Sequence, residues 1–171
     1  LHTKSILFLL LIPAYLRLGK EDDTGDVHIE PKSAPMTIFI ASFDFITRPM
    51  PTKSFNRLEY LCTTIPAKFA ALTEEEWTLK PSPEKWSKKE MLGHLIDSAT
   101  NNHHRFVRAQ FEESPLITYD ADDWVGASRY QMMTTRHLMY FWQMYNLHIL
   151  ELIRRMPKEM FEKECQTVDD V

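Results

Sequence analysis

The sequence predicts an all-α fold, an up-down four-helix bundle present as about three long helices. Three observations carry this. Only 4 glycines stand beside 9 methionines and 4 tryptophans in 171 residues, a composition that favours helices with large, adaptable packing side chains. Apolar residues recur at three-and-four spacing over long stretches, and helix-start signals precede two of those stretches. With 44% apolar and 26% charged residues, the chain suits one globular domain. A net charge of -4 and a pI near 6.0 offer no footprint for phosphate backbones, so nucleic acid is not an expected partner. Cys62 and Cys165 lie far apart with no Cys-x-x-Cys spacing, which suits neither a disulfide framework nor a cysteine metal site and points to a reducing cytoplasm.

The first fifty residues differ from the rest. Ile6 to Ile12 is a continuous apolar run behind Lys4 that resembles a signal-peptide core, but Pro13 follows it without a small-x-small cleavage pattern. Extended to Leu16 it is still shorter than the roughly 20 residues that span a bilayer, so membrane association is not expected. Gly19 to Pro35 is polar and acidic and reads as linker. Thr37 to Ile46 could make a short strand. Residues 1 to 51 are therefore expected to be an extension, disordered or not native to the domain, with Met36 or Met50 as a possible start. Residues 52 to 171 form the helical domain.

From Ser54 the pattern turns regular. Leu58, Leu61, Cys62, Ile65, Phe69 and Leu72 fall on one helical face, with Pro66 placed to kink it. Thr73 with Glu76 has capping-box spacing, and Pro81 and Pro83 end that turn. Ser87 with Glu90 is a second box, with Trp86 outside it as a hydrophobic staple. The helix it opens carries Met91, Leu92, Leu95, Ile96, Ala99, Phe106 and Val107 on one side and is expected to reach about Phe111. Leu116 to Gly126 reads as an acidic loop. A third long helix is expected from about Ala127 to Met156, with Leu138, Trp142, Tyr145, Ile149, Leu152 and Met156 as its stripe and Pro157 as its stop. Three such helices leave an apolar face that a fourth would close.

His94 is the first candidate for chemistry. It borders the apolar arc on an edge shared with Met91, Ser98, Asn102 and Arg105, although a lone histidine so placed is more often a hydrogen-bonded core residue than a ligand. His103 and His104 point about 100° apart, cannot easily face one ion together, and read as partly exposed surface residues. His137 and His148 lie roughly 16 Å apart along their helix and cannot share one ion. Asp120, Asp122 and Asp123, beside Tyr119 and Trp124, could supply a carboxylate to a site or simply a solvated turn. There is no glycine-flanked serine elbow and no His-Glu-x-x-His.

The segment Lys80-Pro81 through Trp86-Ser87, with Glu90, Gly93-His94-Leu95 and Asp97-Ser98, resembles the DinB-like superfamily. The run WSKKEMLGHLIDSATNNHHRF followed by ESPLITYDADDW is similar to its YfiT-like branch, and the resemblance covers about Phe55 to Cys165. It implies a four-helix bundle in which the histidine at the position of His94 is one of three holding a divalent metal, zinc or nickel. The other two belong to a His-x-x-x-His pair on the last helix. The reaction implied is thiol-dependent S-transfer, with bacillithiol or mycothiol in some members, or metal-dependent hydrolysis. Asn102 and Arg105 would orient a polar or anionic small substrate.

No His-x-x-x-His pair occurs in these 171 residues. The domain is therefore expected to be C-terminally incomplete, to bind metal weakly or not at all, to be inactive as it stands, and to form homodimers. The apolar stripe of Leu95, Ala99, Phe106, Trp142, Ile149 and Leu152 is expected to lie uncovered. The alternative is a non-catalytic helical module for binding or oligomerisation.

Overall fold

The structure is a computed structural model that describes Lys4–Ser5 and residues 52–166. The apolar run Ile6 to Ile12, the Thr37 to Ile46 strand and the last five residues lie outside the described residues. In chain order the elements are β1 (Lys4–Ser5), α1 (Thr52–Phe69), α2 (Glu74–Thr78), α3 (Lys88–Arg108), α4 (Ala121–Ser128), a 3-10 turn at Tyr130–Met132, α5 (Thr135–Arg155), a second 3-10 turn at Lys158–Glu162, and β2 (Glu164–Cys165). β1 pairs antiparallel with β2.

The all-α bundle is the expected one, with three long helices, and both capping boxes form. The Ser87 N–H donates to the Glu90 carboxylate (2.8 Å), and the Glu90 N–H donates to Ser87 Oγ (3.1 Å). Thr73 and Glu76 do the same at the start of α2. Each box satisfies amides that a helix start leaves without intrahelical partners.

Two expectations need correction. The second long helix stops at Arg108 rather than near Phe111, and turns follow it. The third does not begin at Ala127. Asp120 accepts from the Asp123 N–H (2.9 Å) and starts α4 inside the presumed acidic loop. Arg129, at φ 53°, then breaks the helix in the left-handed region, and α5 starts only at Thr135. Long-range partners hold this break in place. Lys89, 2% exposed, reaches across from α3 to donate to the Met133 carbonyl (3.0 Å) and pairs with Glu74, which also accepts from Thr135 Oγ1 (2.7 Å).

Those contacts set the helix directions. The start of α3 lies beside the start of α5, whereas Glu59 of α1 pairs with Arg154 at the far end of α5 (2.7 Å). So α3 and α5 run parallel, and α1 runs antiparallel to both. The segment from 109 to 134 carries the chain back between them.

The core has two halves. One gathers Leu61, Ile65, Trp77, Leu92, Ile96, Leu138 and Trp142, and the other Phe55, Ala99, Phe106, Ile149, Leu150 and Ile153. The stripe expected to lie uncovered is therefore mostly inside. Ala99, Phe106, Trp142 and Ile149 are buried, and Leu95 and Leu152 half-buried, because α1, α3 and α5 already enclose them. The exposed apolar side chains of α5 are instead Tyr140, Phe141 and Met144. Among the described residues no helix is long and apolar enough to cross a membrane.

Candidate functional site

The cap at Ser87 fixes the direction of α3, and His94, Ser98, Asn102 and Arg105 follow along one side of it. His94 is half-buried. Its ring packs on Trp86, the residue just before the cap, at 5.0 Å between centroids, and faces Tyr119 at 6.4 Å. Ser98 Oγ lies 3.5 Å from His94 Nε2 and 2.9 Å from the Tyr119 hydroxyl. Trp124, at the exposed edge, meets Tyr119 at 5.2 Å. Burial lowers the His94 pKa from its ordinary value, against the pull of the Asp122 carboxylate, and so favours the neutral ring. Burial likewise raises the Tyr119 phenol, although the hydrogen bond to Ser98 and the Arg105 charge oppose it.

Asn102 and Arg105 come together, but roughly 16 Å along the helix separates Arg105 from His94. Arg105 donates to Asn102 Oδ1 (3.0 Å) and to the Ile117 carbonyl (2.8 Å), which ties the loop carrying Tyr119 to α3. Both residues are buried, and burial lowers the Arg105 pKa. Arg105 Nε is buried without a hydrogen-bond partner among the described residues. Asp120 and Asp123 serve the α4 cap, while Asp122 is the carboxylate felt by His94.

Sequence reasoning missed the buried pair one turn beyond His94. The Tyr130 hydroxyl donates to Asp97 Oδ1, and Asp97 Oδ2 has no partner among the described residues. Burial raises the Asp97 pKa, with the Tyr130 bond opposing. The Gly93-x-x-x-Asp97 spacing was its only local trace, because an added Cβ at Gly93 would fall 2.1 Å from a Tyr130 ring carbon. The partner lies 33 residues downstream, beyond any helical periodicity.

Among the described residues no group of three or more His, Cys, Asp or Glu side chains could hold a metal ion. His94 supplies one neutral imidazole, while a catalytic zinc site ordinarily takes three protein ligands. The described residues therefore do not by themselves fit the ion that the resemblance implies.

No family model matches the sequence. The chain is 29% identical over 75 residues to a Halalkalibacterium halodurans protein named "Putative metal-dependent hydrolase"; the match takes in 41% of this chain and spans 44% of that relative. Among solved structures it is similar to YfiT from Bacillus subtilis, described as "a probable metal-dependent hydrolase with an unusual four-helix bundle topology". That likeness has a TM-score of 0.59 and 19% identity over 74% of this chain and 75% of that one. That likeness shows the fold, a four-helix-bundle topology of the YfiT kind.

Proposed function

We propose that this chain is a metal-dependent hydrolase or thiol-dependent S-transferase of the DinB/YfiT-like type, acting on a small polar substrate, with His94 as one ligand of a zinc or nickel ion. The observation that carries this reading is the placement of His94: half-buried, and held between Trp86 and the Ser98–Tyr119 pair. A metal ligand requires a deprotonated imidazole in a set orientation. The remaining ligands would come from outside the described residues. A substrate beside His94 would meet the Ser98 and Tyr119 hydroxyls, and Arg105 would orient it indirectly, through the Ile117 carbonyl that ties the loop carrying Tyr119 to α3. Asn102 would hold that guanidinium in place. A reducing, cytoplasmic setting suits both the thiol chemistry and the two free, buried cysteines.

The test is metal content per chain. His94→Ala should lose one equivalent of bound zinc or nickel per chain while helicity by circular dichroism stays close to wild type. Unchanged stoichiometry would overturn the assignment.

A second reading is favoured by one observation, the exposure of Tyr140, Phe141 and Met144 on α5 at 54%, 46% and 63%. A non-catalytic module would use that face to bind a second copy. Sedimentation of Phe141→Lys together with Met144→Lys should then give monomer where the wild type gives dimer.

A further inference from the structure

His103 lies nine residues beyond His94 on α3 and meets α5 at a second cluster of side chains. Its ring stands 5.3 Å from that of His148, centroid to centroid, with the planes at 69°. His103 Nδ1 lies 2.9 Å from the Tyr145 hydroxyl. His103 is half-buried and His148 exposed, so solvent reaches the pair from one side.

We infer that His103 and His148 form a two-histidine site for a borderline transition-metal cation such as zinc, nickel or copper, bridging α3 and α5 and separate from His94. Geometry carries the inference. With a metal–nitrogen bond of about 2.0–2.1 Å and roughly 1.1 Å from nitrogen to ring centre, each centroid sits about 3.2 Å from the ion, so tetrahedral coordination sets two rings about 5.2 Å apart. The observed separation matches this. The Tyr145 hydrogen bond at Nδ1 leaves Nε2 of His103 as the coordinating nitrogen and restrains the ring, as outer partners of metal-bound histidines do. Burial, with His148 and His104 acting in the same direction, lowers the His103 pKa and keeps the ring neutral at pH 7. No third His, Cys, Asp or Glu joins the pair among the described residues, so water fills the other positions and the affinity is modest. His94 cannot share the ion, because the helical rise places it roughly 13.5 Å away along α3.

The experiment is a Zn2+ titration of the untagged full chain at about pH 7.5, where imidazoles are deprotonated, read by calorimetry and by competition with a chromophoric chelator. The exposed His148 is replaced by Ala, and His94→Ala and Tyr145→Phe are run beside it, with circular dichroism as the folding check. His148→Ala should weaken one zinc site by at least about tenfold, since losing a mere outer hydrogen-bond partner already costs 10–100-fold. Tyr145→Phe should weaken the same site by less. His94→Ala should leave it intact, so failure of the His94 assignment and failure of this one are read from different variants. Zinc binding that is unchanged in His148→Ala, absent in the wild type up to millimolar zinc, or abolished by His94→Ala at this site would overturn the inference.

Discussion

Gly93→Ala is expected to destabilise the protein although it replaces the poorer helix former by the best one. In the interior of α3 that exchange alone should add about 1 kcal/mol of stability. The new Cβ would lie 2.1, 2.3 and 2.5 Å from three carbons of the Tyr130 ring, far inside van der Waals contact. The ring cannot swing away cheaply, because Tyr130 is 6% exposed and its hydroxyl is bonded to the buried Asp97. Overpacking typically costs about 1–3 kcal/mol. Moving Tyr130 also strips Asp97 of its partner, which for a buried polar group adds about 1–3 kcal/mol. The net is a loss on the order of 1–5 kcal/mol, or roughly 2–20 °C in Tm for a domain of this size. Urea denaturation of the four members of a Gly93→Ala, Tyr130→Ala cycle measures it. With the ring removed, Gly93→Ala should become neutral or stabilising. Equal destabilisation in both backgrounds would refute the steric argument.

Other expectations follow from the same contacts. Ser87→Ala should cost about 1–2 kcal/mol, the upper part of the range for a cap, because Ser87 Oγ is fully buried and also accepts from Gln131 Nε2 (2.8 Å); a thermal scan that shows no change would contradict the role of the box. Acid should weaken the fold before the carboxylates titrate. His94 and His103 both have pKa values lowered below the ordinary 6.5, so the unfolded chain binds more protons and stability falls as pH drops through 6.5 and below. Asp97, raised from 3.8, acts in the opposite sense, its contribution fading as pH rises through its folded value. The urea midpoint should therefore decline between pH 7.5 and about 5.5, and less steeply in His94→Asn; a flat profile in wild type would be the contrary result.

What the sequence made legible was local. Ser87 with Glu90 and Thr73 with Glu76 mark their helix starts because a capping box is closed within four residues, and Pro157 marks the end of α5. The edge shared by His94, Ser98, Asn102 and Arg105 followed from helical period alone. The break at Arg129 was hidden, because a stretch of otherwise helix-compatible residues is interrupted by distant partners: Lys89 at the Met133 carbonyl and Asp97 at Tyr130. The same cause hid the burial of Ala99, Phe106, Trp142 and Ile149, since the parallel run of α3 and α5 lets three helices enclose what an alternating bundle would leave for a fourth. His103 is partly exposed, as its place on the helix suggested, but its contacts were hidden for a related reason. Its partners Tyr145 and His148 stand on another helix, over forty residues away.

The proposed role of His94 as a metal ligand is tested most directly by anomalous diffraction at the zinc edge from crystals of the full chain grown with zinc. The predicted result is a peak about 2.0–2.1 Å from a ring nitrogen of His94, the distance of a zinc–imidazole bond, which disappears in His94→Ala. Zinc-loaded crystals with anomalous density elsewhere but none at His94 would contradict it.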